Sequence, residues 1–288
     1  MTVLQIFKLI TLVKRNIIIV LDDIDPPVET SLSDSAKQSS FFKYGLLRAY
    51  DVLILKLVSI IIVLSESYRK YLSKFYKITP QKFIVLPPPA LCSLIPYSPP
   101  KLGGSLNVLY AGVVKKERNV ELVVQAVDEL REEGYAINLI LTSPLVLMRL
   151  PENVKCFNYS WPEYVNKALS IADVAIIPYP HDKIHYSYTL VAKLFDYLAA
   201  GKPIITTPLL ESIKVLKDCS RSLIFRDKES LKECLRFLYG NKHELISMSR
   251  KARTLAESKF RDDILALRLL SEIIKRWKAR KPFITPKR

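Results

Sequence analysis

The chain has 288 residues, enough for about two domains of ordinary size, and 49% apolar residues with 10% aromatics supply buried cores, which excludes a disordered protein. Its 44 Lys and Arg against 28 Asp and Glu leave +16, which favours phosphate-rich partners: nucleic acid, an acidic lipid surface or a nucleotide substrate. Charge alone does not choose among the three.

Short β-branched runs alternate with amphipathic helical patterns, and this predicts an α/β fold of parallel strands joined by crossover helices. In chain order the predicted strands are 17–21, 60–64, 83–86, 107–110, 137–141, 154–157, 174–177, 203–206 and 223–225. Residues 1–10 carry one Lys and no small-residue cleavage site, so they make a poor signal peptide. The apolar run 52–64 is too short to span a bilayer, which needs roughly 20 residues. A cytoplasmic location is the expectation. The stretch PPPALCSLIPYSPPKLGGS between Pro87 and Ser105 reads as a linker unfit for a sheet, and divides a partial N-terminal domain (1–98) from a self-sufficient one (99–260). A final helix over 262–281 shows an apolar stripe of Ile264, Leu267, Leu270, Ile273, Ile274 and Trp277, expected to pack back on the body ahead of a basic tail. Cys92, Cys156, Cys219 and Cys234 lack metal-ligand spacing and read as small core residues.

Two segments carry candidate chemistry. LNVLYAGVVKKERNVELVVQAVDEL reads as strand, glycine turn and helix, with Lys115, Lys116 and Arg118 crowding a turn whose N–H groups attract phosphate; a merely basic, solvated loop reads equally well. In ADVAIIPYPHDKIHYSYTLVAKLFDYLAAGKPIITTP, Thr189 is the expected N-cap, and Gly201 with Pro203 ends the helix. Thr189, Lys193 and Asp196 then fall along one face. Such a row suits a nucleotide, with the carboxylate accepting from ribose hydroxyls and the ammonium facing phosphate; a solvated Lys193 to Asp196 pair is the plainer alternative. His181 and His185, with Asp182 between, sit among prolines that favour a loop, so donor-sugar or phosphate contact is expected in preference to a metal.

Taken together, LNVLYAGVVKKERNVELVVQAV, ALSIADVAIIPY and AKLFDYLAAGKPIITTP resemble the C-terminal domain of glycosyltransferase family 4, retaining enzymes with the GT-B fold of two Rossmann-like domains. The resemblance covers about residues 106–260. It implies a hexosyl-type transfer from a nucleoside-diphosphate sugar to an acceptor hydroxyl with retention, needing no cofactor and no metal. It puts Arg118 at the diphosphate-gripping lysine position and Asp196 at the ribose carboxylate, so that Arg118 and Lys193 are the expected catalytic cations. Gly112, Lys115 and Lys116, with Tyr188, Thr189 and Leu190 at the entry to the second helix, are the expected donor-binding positions. Two departures stand out: Val113 occupies the place of the turn arginine, and Tyr188 that of the first glutamate of the E-x7-E pair. The resemblance also places Tyr159 or Trp161 beside the base, although Trp161 before Pro162 and Glu163 reads more readily as a helix start with its ring in the core.

The N-terminal part resembles only the later strands of that family's acceptor domain, with Asp22, Asp23 and Asp25 in an acidic turn and Asp22 and Asp23 taken as sugar or acceptor contacts. The partners implied are a nucleotide-sugar donor and a glycan or lipid-linked acceptor. The basic tail suggests an anionic membrane surface, and the short first domain a partner chain supplying strands. A binding-only subunit is the main rival reading. No recognition motif supports nucleic acid, which is not expected.

Overall fold

The computed structural model describes residues 18–23, 41–101, 103–151, 154–183, 186, 188–217, 219 and 223–280. The expected N-terminal segment 1–10, Asp25, His185 and the tail beyond Arg280 lie outside them. The chain divides into two compact units: 1–87 with 183–189 and 263–288, and 88–182 with 190–262.

In the first unit, β1 (Val20–Asp23), β2 (Ile60–Val63) and β3 (Phe83–Val85) form a parallel sheet in the order β1-β2-β3. Side chains alternate across a strand, so one face carries Ile61, Val63 and Phe83. They pack with Leu55 from α1 (Phe41–Leu57) and Tyr68 and Leu72 from α2 (Glu66–Phe75). Ser65 caps α2 by accepting the Tyr68 N–H at 3.0 Å. The other face, Ile60, Ile62 and Ile84, is covered by Leu269 and Ile273 of the C-terminal helix.

The second unit holds β4 (Leu106–Ala111), β5 (Ile137–Thr142), β6 (Cys156–Phe157), β7 (Val174–Ile177), β8 (Ile204–Thr206) and β9 (Leu223–Ile224), all parallel and ordered β6-β5-β4-β7-β8-β9. The helices are α3 (Val120–Glu132), α4 (Trp161–Glu163, continued by a π-helical stretch Tyr164–Leu169), α5 (Ala192–Ala200), α6 (Leu210–Leu216), α7 (Lys228–Gly240), α8 (Lys242–Leu255) and, in the first unit, α9 (Asp262–Arg280). The order runs outward from β4 in one direction and then, from β7, in the other. With right-handed crossovers this puts helices on both faces and opens a crevice at the carboxyl ends of β4 and β7.

Every predicted strand is present within a few residues of its expected bounds, and the α/β class holds. The two units divide at Pro87, where the proline-rich stretch begins, and the stretch itself is fastened to the second unit. Ala90 N–H donates to Phe260 O at 2.7 Å and Ser98 N–H to Ala200 O at 3.0 Å, while Arg253 donates to Ile95 O at 2.9 Å. Only part of the apolar stripe expected on α9 meets the sheet: Ile273 does, beside Leu269, while Leu267 is 67% and Leu270 54% exposed and Leu265 is buried. Arg276 fixes that rotation by donating to Gln81 O and Phe83 O, and Arg268 by donating to Val85 O. Trp161 lies on the surface; Ser160 caps its helix in a capping box with Glu163. All four cysteines are free thiols, but only Cys219 is buried.

Candidate functional site

The chain leaves β4 at Gly112, whose φ of +150° is a conformation suited to glycine. A Cβ added there would meet Tyr110 Oη at 3.2 Å, Arg118 Nη1 at 3.3 Å and Tyr179 Oη at 3.4 Å. Three polar side chains therefore converge on the turn backbone. The turn itself is pinned. Gly112 N–H donates to Thr142 O at 2.9 Å, Tyr110 Oη donates to Val113 O at 2.8 Å, and Val114 N–H donates to Leu145 O at 3.0 Å. A short 3-10 turn over Lys116–Arg118 and a left-handed Asn119 (φ +56°) then lead into α3. This geometry points Arg118 back over the glycine, while Lys116 remains exposed and Lys115 half-buried.

β7 delivers Tyr179 to the same crevice. Its ring lies 5.0 Å from the Arg118 guanidinium carbon, and its hydroxyl accepts from Arg118 Nη1 at 3.3 Å. Behind it, the buried Thr207 hydroxyl donates to Tyr179 O. The sequence reading missed Tyr179, since nothing in a tyrosine between two prolines marks it until the strand order is known.

α5 closes the other side. Leu194, Phe195, Tyr197 and Leu198 are buried, while Lys193 and Asp196, three residues apart, stay half-buried. Tyr197 belongs to the site as well, its hydroxyl accepting the Ala111 N–H at 3.1 Å. Burial lowers the Lys193 pKa, and the Arg118 charge lowers it further against the opposing pull of Asp196. Burial raises Asp196 to about 6 even though Lys193 draws it down. Among the described residues neither side chain has an ion-pair or hydrogen-bond partner, so the plain Lys193 to Asp196 pair is not formed. The Asp196 charge also adds to the raised values of buried Tyr164 and Tyr197, which places both near the carboxylate.

The other expected positions have the following surroundings. Thr189 is buried and is not the N-cap of α5, which starts at Ala192 after an extended Val191. Tyr188 belongs to the first unit, stacked on Tyr71 at 4.7 Å with its carbonyl accepting from Ser65 Oγ. Leu190 is buried. Tyr159 stacks on Phe157 at 5.2 Å, with Lys167 5.7 Å above its ring. His181 and Asp182 are exposed. In the first unit, Asp23 accepts from Tyr68 Oη at 3.0 Å, and Asp22 is exposed. Among the described residues no group of three His, Cys, Asp or Glu side chains is placed to hold a metal ion. No helix of the described residues is long and apolar enough to cross a membrane.

Two α/β units with parallel sheets, the second wound in both directions from β4, define a fold of the GT-B type. Solved structures bear this out. A sucrose-phosphate synthase from Thermosynechococcus elongatus superposes with a TM-score of 0.70 at 15% identity, over 90% of this chain and 68% of that one. HepE of Anabaena, solved with UDP-glucose, gives 0.69 at 8% identity over 94% and 76%. WaaG, a glycosyltransferase involved in lipopolysaccharide biosynthesis, gives 0.61 at 16% identity over 88% and 74%. No family model and no curated protein matches the sequence.

Proposed function

We propose that the second unit binds a nucleoside-diphosphate sugar and that the chain transfers the sugar to an acceptor hydroxyl with retention of configuration, acting as a glycosyltransferase of the hexosyl type. The observation that carries this reading is the convergence of Gly112, Arg118 and Lys193 at the switch point of the sheet, with Asp196 one helical turn from Lys193. Two cations crowded together in a crevice lined by a glycine turn suit a dianionic ligand, whose binding relieves their mutual repulsion.

Transfer requires the bond from the anomeric carbon to the diphosphate to break, and negative charge builds on the departing oxygen. Arg118 and Lys193 stabilise that charge from fixed positions, which is where electrostatic preorganisation has its effect. Asp196 orients the donor by accepting from ribose hydroxyls and moves no proton. HepE, bound to UDP-glucose, supports a nucleotide sugar as the class of donor, and WaaG supports a glycan or lipid-linked acceptor by analogy of fold. An anionic membrane surface fits the basic C-terminal segment that begins at Lys275.

Calorimetric titration with UDP, GDP and their sugar nucleotides, using Lys193→Ala as control, tests the donor site. Saturable binding that the substitution abolishes supports it, and absence of binding by every nucleotide sinks it. Binding without hydrolysis or transfer would favour a binding-only subunit.

A further inference from the structure

We infer that Tyr179 is a positioning residue for diphosphate recognition: its ring and hydroxyl hold the Arg118 guanidinium over the Gly112 turn. The inference rests on the donor-site reading above and deepens it.

An arginine on a loop ordinarily samples many rotamers, and a ligand that needs one of them must order the side chain on binding. Here the guanidinium is already ordered. Its carbon lies 5.0 Å from the centroid of the Tyr179 ring, within the range of a cation–π contact. Its Nη1 donates to Tyr179 Oη at 3.3 Å. The same Nη1 and the same hydroxyl lie 3.3 and 3.4 Å from the point where a Gly112 side chain would begin, so both face the turn backbone.

Tyr179 is itself held firmly. It is only 5% exposed, and its carbonyl is fixed by the buried Thr207 on the neighbouring strand exit. Val113 brings no charge to the turn, and Lys116 is exposed. Arg118 is a cation that the fold aims at the glycine, and Tyr179 is a side chain that does the aiming. The nearby Lys193 ammonium would otherwise drive the guanidinium toward solvent, and the aromatic face opposes that displacement.

The test is a double-mutant cycle. Wild type, Tyr179→Leu, Tyr179→Phe, Arg118→Ala and the Tyr179→Leu/Arg118→Ala pair are titrated with UDP and GDP and with the corresponding monophosphates, after thermal melting has verified folding. Tyr179→Leu is expected to weaken diphosphate binding about tenfold, with Tyr179→Phe in between because the ring remains. The monophosphates should lose less. In the Arg118→Ala background the leucine substitution should have no further effect, because the group it positions is gone. Equal losses with and without Arg118, or diphosphate affinity unmoved by Tyr179→Leu, would overturn the inference. The phenylalanine variant keeps the test open if leucine impairs folding. Should no nucleotide bind wild type, the donor-site reading itself fails; binding that Lys193→Ala abolishes but Tyr179→Leu leaves intact removes only the role given to Tyr179.

Discussion

The guanidinium of Arg118 pushes the Lys193 ammonium pKa down, an effect second only to burial, so the fold holds two like charges together in the second unit. Such an arrangement costs stability in the empty protein, a cost typical of functional sites. Replacing either cation with alanine should therefore weaken nucleoside-diphosphate binding by about 10- to 100-fold. The melting temperature of the ligand-free chain should hold or rise. Parallel calorimetry and thermal melting separate the two effects, and a fall in both for Lys193→Ala would mark that lysine as structural.

Asp196 supplies a pH signature. Its ordinary value of 3.8 is raised to about 6 by burial, so the folded state disfavours the carboxylate. A folded pKa above the unfolded one contributes stability that is fully present below 3.8 and lost as pH rises through about 6. Asp196→Asn should accordingly be more stable than wild type above pH about 6, with the difference vanishing toward pH about 4. Donor binding runs the other way, since the ionised carboxylate is the better acceptor for ribose hydroxyls. Wild-type affinity should rise with pH through about 6, and the asparagine variant should show a flat, weaker profile. Affinities measured from pH 5 to 8 decide this, and a wild-type profile as flat as that of the variant would remove Asp196 from the ribose.

Lys202 is a structural cation. It is fully buried, with Nζ donating to Ala172 O at 2.7 Å and to Ser98 Oγ at 3.0 Å, and burial lowers its pKa to about 8. The contact ties the proline-rich stretch at Ser98 to the loop before β7. Lys202→Met keeps most of the volume but leaves those acceptors unsatisfied, so a loss of about 1–3 kcal/mol is expected in denaturant unfolding, with donor affinity unchanged. A variant as stable as wild type would show that the acceptors find other partners.

Much of this architecture was legible in the sequence because each strand is a run of β-branched residues bounded by turn signals. Arg118, Lys193 and Asp196 lie on readable local patterns, a basic glycine turn and an amphipathic helix, but spacing alone favours a plain ion pair, and it is the family resemblance that singles them out. What could not be read depends on contacts between distant segments. Tyr179 became visible only when the order β4-β7 placed its strand beside Gly112. Residues 88–98 read as linker by composition, yet their carbonyls and N–H groups are taken up by Arg253, Phe260 and Ala200. The α9 stripe misled because apolar periodicity reports that a face exists without saying which neighbour claims it. Here the arginines that reach the β3 carbonyls turn Leu269 and Ile273 to the sheet and leave Leu267 and Leu270 exposed. Thr189 failed as a cap because a single extended Val191 delayed the helix start.

Glycines at two turns should respond differently to alanine. At Gly201, φ is +71° and an added Cβ would sit 2.5 Å from Tyr97 Cε2 and 3.1 Å from the Ser249 carbonyl oxygen. Both the backbone and the contact are unfavourable, so Gly201→Ala should destabilise the second unit by about 2–4 kcal/mol. Gly112→Ala meets side-chain ends at 3.2–3.4 Å, which can shift by a few tenths of an ångström, and its main penalty is a strained φ of +150°. A smaller loss of stability, about 1–2 kcal/mol, is expected there. The larger effect should fall on ligand binding, because the new methyl would displace Arg118 Nη1 from the turn and occupy the space through which a phosphate approaches the backbone. Unfolding curves and diphosphate titrations on the two variants test the contrast. If Gly112→Ala binds as wild type does, phosphate does not approach that backbone, and the donor site must lie elsewhere.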